Sequence, residues 1–198
     1  MGLVLAAPRG AGAHRLDEYL QATRIAVSPD HIQVEIDLTP GVAVAPSVLA
    51  SIDTDRDDRI STAEADAYAA AVVQEIVLVQ DGRPQRLKLE GHQFPPAAEL
   101  KTGMGTIRLE ASAQASDGRG QHRLSLRNDH RPDVAVYLVN ALAPTTPQIT
   151  IEAQHRDPEQ RGIQLDYSVA SDRIRSAVVA LGMLTLLGAA LFARRGGS

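Results

Sequence analysis

Alternation of apolar and polar side chains with a period of two is the feature that most constrains how this chain folds. In residues 31–38 every second side chain is apolar and those between are polar. This period places the apolar side chains on one face of a β-strand, so it predicts a strand with one buried face. The same period recurs in five shorter segments, which are residues 107–111, 124–126, 134–138, 149–151 and 163–169.

Further strands are predicted over residues 16–27 and 76–80, and an Asp81-Gly82 turn joins the latter to residues 86–89. About nine short strands separated by turn residues are typical of two packed sheets. The sequence therefore predicts a mainly β fold, an antiparallel β-sandwich, with one helical excursion after the first hairpin.

The helical excursion contains an acidic segment, residues 53–64, with carboxylates at positions 1, 3, 5 and 12 of a twelve-residue loop. An EF-hand loop surrounds one calcium ion with oxygen ligands at this spacing. The remaining ligands in that pattern are a backbone carbonyl at position 7 and a water at position 9. The predicted calcium ligands are Asp53, Asp55, Asp57, the carbonyl of Arg59, a water held by Ser61, and Glu64.

The loop departs from the EF-hand pattern at position 6, where Asp58 replaces the usual glycine. Asp enters the left-handed backbone region with modest strain, so the turn can still form. Ile60, at position 8, is expected to point inward. Because a single loop lacks the usual partner, we expect weak binding, with a Kd of roughly 10⁻⁴–10⁻³ M. The alternative interpretation is a solvated acidic turn that holds no metal.

Helices are predicted on both sides of the acidic loop. Pro46 lies near the first position of a short entering helix that ends at residue 52. Ser61 and Glu64 form a capping-box pattern that begins a helix running to about residue 74. The sequence therefore predicts an EF-hand-like helix-loop-helix insert at about residues 46–75.

A transmembrane helix is predicted near the C-terminus, over residues 174–193. Residues 176–193 carry no charge, and as a helix they span about 27 Å, close to the thickness of a hydrocarbon core. Arginines flank this segment on both sides, so their distribution alone does not orient it. Residues 194–198 are the predicted cytoplasmic tail.

The N-terminal residues indicate how the predicted membrane helix is oriented. Residues 1–13 combine a short apolar run with a small-x-small site ending at Ala13, which predicts a signal peptide. The run is brief and lacks a basic start, so we expect a truncated signal sequence. Residues 14–172 would then form a periplasmic domain, held at the inner membrane by a single span.

Composition limits the classes of site and partner that this chain can have. The chain has no cysteine, which excludes disulfides and thiolate metal sites. A net charge of -4 and an aromatic content of 3% argue against nucleic acid as a partner. No nucleophile elbow, zinc-protease or phosphate-loop motif occurs, so we expect no enzyme activity. A hydrolase with an unrecognised site is the remaining enzymatic alternative.

Several segments together carry a resemblance to known bacterial proteins. They are residues 14–22, 38–42, the acidic loop, residues 137–140 and residues 166–167. This set resembles a family of uncharacterised bacterial extracytoplasmic domains and, more distantly, the domain that precedes the membrane part of hydrogenase and urease accessory nickel permeases and of nickel/cobalt exporters. The resemblance implies a membrane metal transporter or another membrane protein as partner. It does not imply transport, since only one span is predicted.

Histidines offer a different metal chemistry. Cleavage after Ala13 would give His14 a free amino group beside its imidazole, and these two nitrogens can chelate copper or nickel. The alternative is an ordinary exposed terminus. His122 and residues 128–131 suggest a second transition-metal or acid/base site, but strand-end polar clusters are usually solvated turns and no ligand spacing supports a site.

The leading functional prediction is therefore a calcium-binding, membrane-anchored extracytoplasmic accessory or interaction domain. Capture or delivery of nickel or copper is the alternative, and nitrogen ligation would distinguish it from the oxygen-only calcium site.

Overall fold

The computed structural model describes residues 17–116 and 118–170. Within them the strands are β1 (Tyr19–Val27), β2 (His31–Pro40), β3 (Ile76–Gln80), β4 (Arg83–Gln85), β5 (Lys88–Gln93), β6 (Ile107–Gln114), β7 (Gly120–Asn128), β8 (Ala135–Ala141), β9 (Ile149–Arg156) and β10 (Gly162–Val169). The helices are α1 (Ala45–Ile52), α2 (Thr62–Gln74) and α3 (Ala97–Lys101).

The strands form two five-stranded sheets, which confirms the prediction of a mainly β fold. The first sheet has the order β5-β6-β2-β1-β8 and the second has the order β4-β3-β7-β10-β9. Alternation along β2 is as predicted, since Ile32, Val34, Ile36 and Leu38 are all buried. The buried faces of both sheets contribute to one hydrophobic core, so the two sheets form a β-sandwich.

The sandwich is not entirely antiparallel, because β8 pairs with β1 in parallel, with Tyr19 opposite Ala135. The other strand pairs among the described residues are antiparallel. The prediction of a purely antiparallel sandwich is therefore wrong for this pair. Period-two alternation specifies which face of a strand is buried, but it carries no information on the direction of the neighbouring strand.

The hairpin after α2 also differs from the sequence prediction. Asp81 and Gly82 have φ values of 51° and 76°, and this two-residue turn pairs Gln80 with Arg83. Residues 83–85 are therefore the hairpin partner of β3. The chain then crosses to the first sheet, where β5 pairs with β6. Residues 88–89 thus belong to the sheet opposite the predicted one.

The three helices each contribute buried side chains to the hydrophobic core. Val48 and Ile52 of α1, Val72 of α2 and Leu100 of α3 are at most 1% exposed. Helix α3 was not predicted from the sequence. Its five residues are too few to show a helical period, and Leu100 is its most buried side chain.

The helices lie at one end of the sandwich. In the first sheet, β1 begins and β2 ends where the chain enters α1; in the second, β3 begins opposite the end of β7. The rings of Tyr19, at the start of β1, and His130, just after β7, lie 5.8 Å apart, so these two edges coincide. We call this the helical end. The opposite edge, where β10 finishes at Val169 beside the start of β7, is the far end.

Several predictions concern residues outside the described ranges. These are the signal peptide over residues 1–13, His14, the membrane helix over residues 174–193 and the tail over residues 194–198. Within residues 17–116 and 118–170, no helix combines the length and the apolar character needed to cross a bilayer.

Candidate metal site

The acidic loop leaves the core directly from the end of α1. Ile52, the last residue of that helix, is 1% exposed and anchors it in the core. The backbone amide of Asp53 donates to the Leu49 carbonyl at 2.8 Å, which ends the helix. Asp53 is consequently 8% exposed, and the loop begins at the edge of the hydrophobic core.

Three carboxylates of the loop converge. Asp53, Asp55 and Asp57 each place one oxygen so that all three oxygens lie within 4.8 Å of one another. Backbone amides hold them: the Asp57 amide donates to Asp53 Oδ1 at 3.1 Å, and the Arg59 amide donates to Asp57 Oδ1 at 2.8 Å. The loop thus gathers three of its predicted ligands at one point.

Asp58 adopts the left-handed conformation that the EF-hand pattern requires at position 6, with φ of 64°. The expected tolerance of Asp at this turn is therefore confirmed. Arg56 is also left-handed, with φ of 62°, which was not predicted. The Asp58 carboxylate contacts α3, where Lys101 Nζ lies 2.6 Å from Asp58 Oδ1.

Glu64 lies where the two ends of the loop meet, and its carboxylate does not join the group of three aspartates. Glu64 Oε2 accepts hydrogen bonds from the Ser61 amide at 3.0 Å and the Ser61 hydroxyl at 2.8 Å, and Oε1 accepts from the Thr54 amide at 2.6 Å. The predicted capping box is thereby confirmed. Hydrogen bonds from Ser61 and Thr54 lower the pKa of Glu64 to about 2, so its carboxylate is ionised at neutral pH.

The other predicted positions contribute in different ways. The side chain of Ser61 caps α2, and Arg59 supplies its amide to the loop. Ile60 is partly buried and packs against the core, as expected from its position in the loop. The inward turn of Ile60 ties the second half of the loop to the sandwich.

The neighbouring carboxylates affect the pKa of Asp55. The Asp57 amide lowers the pKa of the Asp55 carboxyl, but desolvation and the negative charges of Asp57 and Glu64 raise it, and the net shift is upward. A cation among these carboxylates would relieve the repulsion that contributes to this shift. The loop therefore concentrates negative charge around its three aspartates.

A buried polar cluster lies behind α2, and the sequence did not predict it. We call it the His130 cluster; it consists of Tyr19, Tyr68, Glu75 and His130. The Tyr19 and Tyr68 hydroxyls lie 2.8 Å apart, the Tyr68 oxygen lies 3.1 Å from His130 Nε2, and His130 Nδ1 lies 2.6 Å from Glu75 Oε2. Because Tyr68 belongs to α2 and Glu75 caps its C-terminus, the cluster fastens α2 to the sandwich.

The histidines considered for transition-metal binding do not converge. His130 is 6% exposed and pairs with Glu75, so residues 128–131 are not a solvated turn. His122 pairs with Asp81 at 2.8 Å. His122 precedes Asn128 by six residues on β7, and this spacing separates the two residues by ~20 Å along the strand. In the described part of the chain, the three aspartates are the one group of three or more metal-ligating side chains.

No protein-family model, no curated protein and no solved structure matches this chain. The resemblance to domains of nickel permeases and nickel/cobalt exporters therefore stays a prediction.

Proposed function

We propose that this chain is a calcium-binding accessory or interaction domain, anchored to the inner membrane with its folded part in the periplasm. One observation carries the proposal: oxygens of Asp53, Asp55 and Asp57 lie within 4.8 Å of one another, inside a loop whose spacing matches that of an EF-hand. Ligands that share one calcium ion at ~2.4 Å cannot be separated by more than ~4.8 Å. The three oxygens satisfy that limit.

The ligand chemistry favours calcium over other common metal ions. The converging atoms are carboxylate oxygens, which suit hard cations, whereas copper, nickel and zinc favour nitrogen or sulfur ligands. Magnesium requires shorter bonds of ~2.1 Å in near-ideal octahedral geometry. A loop of nine residues between two helices adapts more easily to the irregular coordination of calcium.

Ion binding would rearrange the hydrogen bonds that Glu64 makes where the two ends of the loop meet. For Glu64 to join the ion as a bidentate ligand, Oε1 must release the Thr54 amide, which it holds at 2.6 Å. The Arg59 carbonyl and a water at Ser61 complete the proposed ligand set. This exchange of hydrogen bonds for metal contacts offsets part of the binding energy, in keeping with the weak affinity expected of a single loop.

The proposed membrane anchor has sequence support alone, in residues 1–13 and 174–193. It would place a membrane protein, such as a metal transporter, within reach of the domain. In that setting, calcium would fix the helical insert against the sandwich and so stabilise the surface that the helices present.

Calorimetric titration of the full-length protein with calcium tests the proposal. We expect a Kd of roughly 10⁻⁴–10⁻³ M. Asp53→Asn should weaken binding strongly, because Asp53 is the most buried of the three aspartates. Asp30→Asn is the matched control: it removes the same charge from an exposed residue in the β1–β2 turn. Absence of both binding heat and thermal stabilisation at several-fold excess over ~1 mM calcium would contradict the proposal.

Asp58→Gly should change calcium affinity by less than about tenfold, or ~1.4 kcal/mol. Glycine removes the side-chain strain of a left-handed backbone, worth ~1 kcal/mol or less for Asp. The same change deletes a negative charge near the ion and the exposed ion pair with Lys101, which oppose that gain. Calorimetry measures the net effect.

Lys101→Met is the control for Asp58→Gly. It removes the ion pair on α3 but leaves the loop backbone and its charge unchanged. We expect its calcium affinity to be equal to or slightly above that of the wild type. A hundredfold change in the Lys101 variant would show that the contact between Asp58 and Lys101 controls the loop.

A further inference from the structure

The direction of the hydrogen bonds in the His130 cluster depends on the protonation state of the imidazole. In the neutral ring with its proton on Nδ1, Nδ1 donates to Glu75 and Nε2 accepts from the Tyr68 hydroxyl. The Tyr68 oxygen then accepts from the Tyr19 hydroxyl. Each donor in this row has an acceptor.

Protonation of His130 reverses the direction of the hydrogen bonds that link it to Tyr68 and Tyr19. Nε2 becomes a donor, so the Tyr68 oxygen must accept from it and the Tyr68 proton must turn to the Tyr19 oxygen. Tyr19 is 0% exposed, and in the described part of the chain its hydroxyl has Tyr68 as its one hydrogen-bond partner. The Tyr19 proton is left without an acceptor, and a buried donor in that state destabilises the packing around it.

The surroundings of the ring favour the neutral form. Burial lowers the pKa of His130; the hydrogen bond and charge of Glu75 raise it, the charge of Arg131 lowers it, that of Asp133 raises it, and the net shift is below the ordinary value of 6.5. The titratable and charged side chains that face the ring are Tyr19, Tyr68, Glu75, Arg131 and Asp133.

The sign of the linkage follows from that depressed pKa. The unfolded or undocked chain binds a proton at His130 more readily than the packed state does. The contribution of the cluster to packing of α2 is therefore complete above about pH 6.5 and is lost as the pH falls through the lower pKa of the packed state.

Helix α2 connects this cluster to the acidic loop. Tyr68 follows Glu64 by four residues, so both side chains lie on the same face of the helix, one turn apart. Glu64 in turn holds the two ends of the loop together through Ser61 and Thr54. A shift of α2 away from the sandwich must move the residue that closes the proposed metal site.

We propose that His130 is a positioning residue for the cation site, and that its protonation weakens the hold of the acidic loop on its ion. This inference rests on the proposed function. By linkage, binding of the ion must lower the pKa of His130, because a coupling between two sites acts equally in both directions. The domain would release calcium on acidification.

The test combines calorimetry and NMR on the full-length protein. For the wild type, we expect calcium affinity to fall by about fivefold or more between about pH 7.5 and about pH 5.5. His130→Gln should show a flatter profile, because glutamine does not titrate. His92→Gln is the matched control, because His92 contacts α2 at Asp66 but lies outside the cluster, and it should keep the wild-type profile.

NMR titration of the imidazole signals gives a readout that needs no variant. Saturating calcium should lower the pKa of His130 in the wild type. If calcium binds but the His130 pKa does not move, or if His130→Gln keeps the wild-type pH profile, the inference is wrong and the proposed function stands. If the wild type fails to bind calcium at either pH, both are wrong.

Discussion

Glu64→Gln is expected to abolish measurable calcium binding. Even at the dielectric constant of water, a divalent ion and a carboxylate ~4 Å apart attract each other by about 2 kcal/mol, or roughly thirtyfold in affinity. Glutamine loses that charge and also cannot bind the ion through two equivalent oxygens. We expect a loss of at least about a hundredfold, ~2.7 kcal/mol, which moves a Kd near ~1 mM beyond the range of calorimetry.

Two controls separate the role of Glu64 as a ligand from its role in the helix cap. Ser61→Ala removes the hydroxyl that caps α2 and would hold the proposed water ligand. It costs α2 ~1 kcal/mol of stability and keeps the carboxylate. Asp66→Asn removes the same charge from an exposed position two residues along α2. Both should bind calcium within about tenfold of the wild type. Equal binding by Glu64→Gln and wild type would reduce the loop to a capped acidic turn.

Leu100→Ala should be among the most destabilising single substitutions. Leu100 is 0% exposed and is the residue through which α3 joins the core. Truncation of a fully buried leucine costs about 2–5 kcal/mol through lost burial and the cavity left behind. Chemical denaturation measures this loss, and for a domain of this size each 1 kcal/mol corresponds to about 2–4 °C in Tm.

Leu138→Ala makes the same chemical change on the solvent side of β8, where the side chain is 39% exposed. We expect it to cost less than about 1 kcal/mol. Similar losses in both variants would mean that α3 is not packed on the core as described.

The parts of the fold that depend on neighbours in sequence were predictable. Period-two alternation identified the buried face of β2, because successive side chains on a strand point in opposite directions. Ser61 and Glu64 fixed the start of α2, because a capping box satisfies the free amides of the first turn. The left-handed turn at Asp58 follows equally from local chemistry.

The parts that depend on distant partners were not predictable. The parallel pairing of β8 with β1 and the transfer of β5 to the first sheet are decided by packing, which leaves no periodic signal. The His130 cluster shows this most clearly. His130 and Tyr68 are separated by 62 residues, and Tyr68 and Tyr19 by 49, so nothing local marks them as partners.

The placement of the helices at one end of the sandwich also separates the acidic loop from the end of the sandwich where the described chain finishes. The described chain finishes beyond Val169 at the far end, and β10 is about 26 Å long from Gly162 to that point. If the chain enters the bilayer soon after Ala170, as proposed, and the strands stand upright on the membrane, the loop would lie more than two Debye lengths (~8 Å each at physiological salt) from the lipid headgroups. Anionic lipids would then not concentrate calcium around it. The loop would respond to the calcium level of the bulk compartment, and lipid composition would have little influence on its occupancy.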